Sequence, residues 1–407
     1  MIDTIIIGGG ASGITASIFA KHKKNRVVVL EKNSSPLKKL LMTGNGKCNY
    51  FNEVYGTKFY HSQDMDMVDQ FLSSSNIQDI KDFFDTLGII PKIKNGDYYP
   101  FSNQASTIKN ALLREANNRG VEIICNCNVL DLIKKEDCFE IRCENYTYLA
   151  KHVVIATGGC AYPKTGSDGL GYSLLTKLGH SIVKPVPALV QLVSDFPYCK
   201  DWDGIRTDCV LELFEDGVFI AKEEGEVQLT NYGISGICTF NLSHFVTRGL
   251  LEGKKEEIHL HFTPFIDDFF SIWLNQYSSL HPSFTLQELL EGFLNYKLVS
   301  VILKTISLNG NVHYQDLSNS QKLLLCSHLR SFPISITGSK SFDQAQICNG
   351  GVFLHDMNLK TMESLLVPHL YVVGELLDIN GNCGGYNLTT CWISGMLAGK
   401  SIGDEND

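Results

Sequence analysis

The 407-residue sequence contains no apolar run of roughly 18 residues, the length a membrane-crossing helix needs. It also has no run of lysine and arginine, and its formal charge is −9. Neutralising phosphates takes a basic surface, so a nucleic-acid partner is not expected. The thirteen cysteines include no CxxC pair, and no Cys/His cluster has zinc spacing. No metal is expected. Cys125 and Cys127 lie two apart in an apolar run and should share a strand face as small buried hydrophobes in a reducing compartment. His259 and His261 share a strand face in the same way, with no third ligand in reach. The N-terminus lacks a positive leader, carries Asp3 early and is broken by three glycines. A folded strand and helix explain it better than a signal peptide, and the cytoplasm is the expected location. Internal repeats, low-complexity tracts and flexible linkers are all missing. A chain of this length then suggests two or three domains.

What is present begins at residue 4. Thr4–Ile7 is a β-branched run suited to a strand buried on both faces. Gly8, Gly10 and Gly13 follow in G-x-G-x-x-G spacing, then a helical stretch from Ser12 to Lys23, a second apolar strand RVVVL and Glu31. Each part has a job at a dinucleotide. Gly8 permits the turn, Gly10 lets backbone approach a pyrophosphate, and Gly13 lets helix and strand pack closely. The helix N-terminus offers amides and a positive dipole end to phosphates. Glu31 is placed for ribose hydroxyls, and an acid there disfavours a 2′-phosphate, so FAD or NAD is preferred over NADP.

Two further strand-then-glycine units stand far downstream: VVIATGG, with Ala156, Thr157, Gly158 and Gly159, and LYVVGE, with Gly374 and Glu375 and then Asp378. A nicotinamide dehydrogenase usually completes its nucleotide fold in one stretch. This split arrangement resembles the glutathione-reductase-type superfamily of FAD proteins. By that resemblance either Glu375 or Asp378 carries the carboxylate for the ribityl chain. Gly384 and Gly385 then precede a helical stretch from about Tyr386 to Lys400, whose amides would face the flavin N1/O2 edge.

Six blocks narrow the resemblance: KKLLMTGNGKCNYFN (38–52), YYPFSNQAS (98–106), ATGGCAYPKTGSDGLGY (156–172), GEVQLTNYGISG (225–236), ITGSKSFDQAQICNGGV (336–352) and GELLDINGNCGGYN (374–387). In family order, they resemble the bacterial flavoproteins known as NAD(P)/FAD-dependent oxidoreductases, the aminoacetone oxidase family and dehydro-bile-acid reductases. The resemblance implies an α/β fold: a split Rossmann-like FAD-binding domain with an inserted β-barrel and a small helical subdomain. It places the FAD-binding domain at 1–187 and 338–407, the barrel at 188–264 and 331–337, and the helical subdomain at 265–330, with the insert walling a substrate pocket. Non-covalent FAD is implied, with contacts at Ala11, Ser12, Lys32, Lys39 and Val129 besides the glycines and Glu31. Further contacts fall in the loop Gly44, Asn45, Gly46, Cys48 and Asn49, and at Gly385, Asn387 and Leu388. The chain departs from the family at Lys47, where arginine is usual, at Asn45 for a glycine, and at Thr389, Thr390 and Cys391, which replace bulkier residues and would widen the site.

Within the insert, CVLELF, a Glu215-Asp216-Gly217 turn and VFIA form a hairpin signal. Thr285 with Glu288, and Ser318 with Gln321, are capping-box patterns heading helices. Gly233 and Gly236 form the close glycine pair of this interval, and neither is expected to lead from a buried strand into a phosphate-facing helix. No second nucleotide-binding unit is therefore expected, and NAD(P)H would enter at most as a transient reductant. Tyr162, Lys164 and Tyr386 are the candidate acid/base residues. Cys48 has no partner at disulfide-reductase spacing, which leaves it as a loop cysteine at the cofactor. The expected activity is hydride transfer between FAD and a small organic substrate of amine or aminoketone type, with oxygen or another acceptor closing the cycle. Alternatives are NAD(P)H-dependent reduction of an enone or steroid, and a flavin-binding redox sensor without turnover. The sequence does not fix an oligomeric state.

Overall fold

The computed structural model describes residues 1–263 and 269–404. They form two compact units, Met1–Val186 with Phe342–Asp407, and Pro187–Ser341.

In the first unit, short Val/Ile-rich strands are buried on both faces, as a parallel sheet requires. Five parallel strands lie in the order Leu370–Val372, Thr147–Ile155, Ile2–Ile7, Val27–Leu30, Glu122–Ile124. In chain order this is 5-4-1-2-3, so the winding reverses between the first and fourth strands. Such a switch point opens a crevice at the carboxyl ends of the strands. Ile7 is level with Ile155 on one side and Leu30 on the other. Gly8, Ala156 and Glu31 therefore leave the sheet side by side. The strand Thr147–Ile155 also runs antiparallel to Phe139–Cys143, which pairs with Val129–Lys134.

Two helices carry the crevice. The first, Ala11–Ala20, follows the glycine turn, and the C-terminal helix, Tyr386–Asp404, packs along it. Small residues make the crossing close. A Cβ on Gly395 would sit 2.6 Å from Ser12 O, and one on Gly399 2.6 Å from Ala16 O. Residue numbers rise together in the two helices, so they run parallel.

The strand expected to hold Cys125 and Cys127 on one face stops at Ile124. Asn126 takes a left-handed φ of 54°, and the amides of Asn126 and Cys127 donate to Asn33 O and Glu31 O. These bonds turn the chain along the neighbouring strand end and break the alternation.

The second unit holds a closed six-stranded barrel: Leu192–Ser194, Gly233–Ser235, Val218–Thr230, Arg206–Glu215, Glu256–His261 and Phe332–Ser339. Asp216 and Gly217, at φ 48° and 81°, make the two-residue hairpin turn between Glu215 and Val218. Helices Phe269–Leu280, Leu286–Glu291, Tyr296–Thr305 and Asn319–Arg330 lie between the last two barrel strands in the chain. Both capping boxes are formed, at Thr285/Glu288 and Ser318/Gln321. The junction read at 264/265 lies outside the described residues. His259 and His261 belong to the strand Glu256–His261, where His259 bonds Ser331 and Glu257 and His261 lies 3.0 Å from Glu212. The reading of Gly233 and Gly236 needs correction. Gly233–Ser235 is a buried strand, and Gly236 caps the helix Ile237–Leu251. Barrel packing accounts for both glycines, since a Cβ would lie 2.9 Å from Ser194 N at Gly233 and 2.5 Å from Glu226 O at Gly236.

Candidate functional site

The glycine turn has three distinct roles. Gly8, at φ 108°, lies in the left-handed half of backbone space, and a Cβ on it would overlap Ala156 O. A Cβ on Gly13 would overlap Gly8 O, so that residue sets the helix-to-strand distance. Gly10 differs from both. Its φ of −78° suits any residue, and the nearest atom to a Cβ, chain neighbours aside, is Ala156 O at 3.9 Å. The protein itself gives no reason for glycine there. The free space faces an N-terminus with no side-chain cap and no acid in its first turn. Those features fit an anion that lies against backbone.

At the end of the second parallel strand, Glu31 is buried but keeps acceptor capacity. Its Oε2 takes the Gly9 amide at 2.8 Å, and its Oε1 takes the Asn33 amide at 2.8 Å and Asn33 Nδ2 at 2.7 Å. Lys32 pairs with Asp168 at 2.6 Å, and Val129 is buried just past the Asn126–Cys127 turn. The loop bearing Tyr162 and Lys164 is tied here too, through Asn33 Nδ2 to Thr165 O at 3.1 Å. That bond draws both candidates toward Glu31.

The two ribityl candidates separate cleanly. Gly374, at φ 74°, abuts Ser12, which brings Glu375 to the start of the first helix. Glu375 pairs with Lys39 at 2.6 Å and accepts the Cys348 amide at 3.1 Å. Asp378 is buried elsewhere, accepting from Ser62 Oγ, the Gln63 amide and Asn380 Nδ2.

The third region is the N-terminus of the C-terminal helix, also without an acid in its first turn. Gly385, at φ 89°, leaves room for Asn49 Oδ1, which would stand 3.0 Å from a Cβ. Asp97 gathers Asn49 Nδ2 at 2.8 Å and Asn52 Nδ2 at 2.9 Å, and Asn52 also bonds Gly384 O. Asn49 Oδ1 is buried without a hydrogen-bond partner. An orphan acceptor of this kind costs free energy until a donor reaches it. Asn387 clamps the glycine loop by exchanging bonds with Gly381 N and O, and Leu388 packs on the core. Tyr386 stacks on Phe59 at 4.7 Å, and burial, with Asp97 nearby, pushes its phenol up to about 12.

Burial bears on two expectations. Cys48 is fully enclosed and its thiol is pushed up to about 12, so only backbone of that residue can border a ligand. Gly44, Asn45 and Gly46 are exposed around it. Thr389 and Thr390 do not widen a site: both are buried, with hydroxyls bonded to Gly385 O and Tyr386 O. The sequence reading missed Cys160 and Cys348, which meet beside Glu375. They stand 188 positions apart, and no local spacing could have paired them.

The HI0933-like protein Rossmann domain family matches residues 2–401. A 3-dehydro-bile acid delta(4,6)-reductase of Clostridium scindens is 36% identical, with 98% of each chain covered. A ribosomal RNA dihydrouridine synthase of Escherichia coli is 26% identical over 98% of each chain. The open conformation of a flavocytochrome c3 fumarate reductase shares the fold at a TM-score of 0.50 and 16% identity, covering 99% of this chain and 78% of that one. The chain belongs to the HI0933-like Rossmann family and is an FAD-dependent oxidoreductase.

Proposed function

We propose that this protein reduces a carbon–carbon double bond conjugated to a carbonyl in a small ring-containing substrate. The observation that carries the reading is the 36% identity over 98% of both chains to a reductase of 3-dehydro bile acids, whose name denotes such a double bond. Dihydrouridine synthesis also saturates a ring double bond conjugated to a carbonyl, although its substrate is RNA. The charge of −9 and the lack of basic runs favour a small molecule over nucleic acid. This reading displaces amine oxidation as the leading one, and cytoplasmic location fits thirteen free cysteines.

Non-covalent FAD, when bound, supplies hydride chemistry. The chain's own residues do the rest. The uncapped first helix would hold the pyrophosphate, Glu31 the adenosine ribose and Glu375 the ribityl hydroxyls. The C-terminal helix, with no acid in its first turn, would turn its positive end toward the cofactor. Asn49 Oδ1 is open to a ring N–H. Tyr386, protonated throughout the neutral range, delivers the proton that accompanies hydride addition.

The test is anaerobic turnover of dithionite-reduced holoprotein with a 4-en-3-one steroid, a primary amine and ribosomal RNA in separate arms. Flavin reoxidation with loss of the enone chromophore is the expected result, and Tyr386→Phe should slow it roughly 100-fold while keeping FAD. Enone left intact, with the oxidised holoprotein bleached by the amine, would return the oxidase reading.

A further inference from the structure

Cys160 follows the VVIATGG strand, and Cys348 sits in the short strand Ile347–Asn349. The Cys160 amide donates to Cys348 Sγ at 2.9 Å. Space around the pair is tight. A Cβ on Gly159 would stand 2.8 Å from Cys348 Sγ, and one on Gly169 2.8 Å from Cys160 Sγ. The two residues differ in access, since Cys348 is fully buried and Cys160 is partly exposed. They also close a polar circuit. The Cys348 amide holds Glu375 Oε1, Glu375 Oε2 holds Lys39 Nζ, and Lys39 reaches back to Ala161 O at 3.1 Å.

From this arrangement we infer that Cys160 and Cys348 form a dithiol modification site, in which Cys160 attacks a low-molecular-weight disulfide and Cys348 resolves the adduct into an intramolecular disulfide. In the first step the Cys160 thiolate forms a bond to one sulfur of the disulfide and expels the other half as a thiolate. In the second, Cys348 loses its proton and attacks Cys160 Sγ, releasing the remaining half as a second thiol. Two protein thiols are oxidised, and one small disulfide is reduced to two thiols.

The electrostatics assign the same roles. The hydrogen bond from Cys348 draws the Cys160 thiol below its ordinary value, whereas burial drives Cys348 well above. The partly exposed sulfur is thus the nucleophile and the dry one the resolver. A second adjacent pair provides a contrast. Cys127 and Cys143 have sulfurs 3.5 Å apart, but Cys143 is pushed up to about 12. Proximity alone does not make that pair reactive.

The consequence follows from the circuit. Closing the bond draws Cys348 toward Cys160 and disturbs the amide that steadies Glu375. FAD is then held less firmly, a step that rests on the ribityl role given to Glu375, whereas disulfide formation does not.

The experiment treats the purified holoprotein anaerobically with oxidised glutathione, blocks residual thiols with iodoacetamide and maps peptides by mass. A Cys160–Cys348 cross-link is expected in the wild type. Cys348→Ser should instead trap glutathione on Cys160, Cys160→Ser should give neither product, and Cys127→Ser should behave as wild type. FAD affinity of the cross-linked protein should fall roughly tenfold, as for one weakened charge-assisted hydrogen bond. Wild-type protein with no Cys160–Cys348 link, or with a lasting glutathione adduct on Cys160, overturns the dithiol site. A link that leaves FAD affinity unchanged overturns the coupling to Glu375 alone.

Discussion

Gly10 reports ligand space because the protein makes no demand on it. A side chain there fits a φ of −78°, and beyond its chain neighbours the nearest protein atom to its Cβ is Ala156 O at 3.9 Å. Gly10→Val should therefore melt at the Tm of FAD-free wild type and purify without FAD. Cys48→Ala should stay yellow and turn over, since its thiol is enclosed; flavin absorbance per chain and a melting curve read both variants. Glu31→Gln should weaken FAD by about 1.5–3 kcal/mol, the worth of a charge-assisted hydrogen bond, as measured by equilibrium fluorescence titration. Unchanged affinity would remove the ribose role. These positions were legible in the sequence because turn, helix and acid are local and ordered. The burial of the Cys48 thiol was not legible, since a loop motif does not tell which way a side chain is buried. Cys160 and Cys348 were invisible, because only the fold joins them.

At the level of elements, the parallel helix pair sets the reach of the cofactor site. Ser12 lies opposite Gly395, so the C-terminal helix begins eight residues before the level at which the first helix starts, roughly 12 Å at 1.5 Å per residue. One N-terminus can then meet the pyrophosphate and the other the ring, with the ribityl chain between them. The small residues of both helices were readable, but their register was not, because it depends on which glycine meets which carbonyl. The barrel has its own electrostatic tension. Glu256 opens its strand buried and without a hydrogen-bond partner, against Gly249 of the helix Ile237–Leu251. Burial first, then Glu215, raises its carboxyl from 4.5 to about 7. The folded state thus binds this proton more tightly than the unfolded chain. Stability from this group is fully present below about pH 4.5 and is lost as pH rises to about 7. Glu256→Gln should stabilise the protein at pH 8 by about 2 kcal/mol and change little at pH 4.5, as urea unfolding at the two values would show. Equal effects at both would mean the carboxyl is not the strained group.

Across the whole chain, electron entry is constrained by how many nucleotide folds there are. Among the described residues one sheet has the parallel 5-4-1-2-3 order, and its crevice is the one we propose for FAD. The strand–glycine–helix segment at Gly233–Leu251 belongs to an antiparallel barrel, and packing explains its glycines. That distinction could not be drawn from the sequence, where a buried strand, a glycine and a helix look alike in either setting. A net charge of −9 also works against holding a second polyanionic nucleotide. NAD(P)H should then reduce the flavin by collision, at a rate rising linearly with concentration up to roughly 1 mM, the upper end of ordinary KM values. Stopped-flow bleaching of the flavin band under anaerobic conditions measures this. If the rate instead saturates at micromolar NADH or NADPH, the chain holds a dedicated nicotinamide site, and the barrel helix Ile237–Leu251, with no acid in its first turn, becomes the first place to look for it.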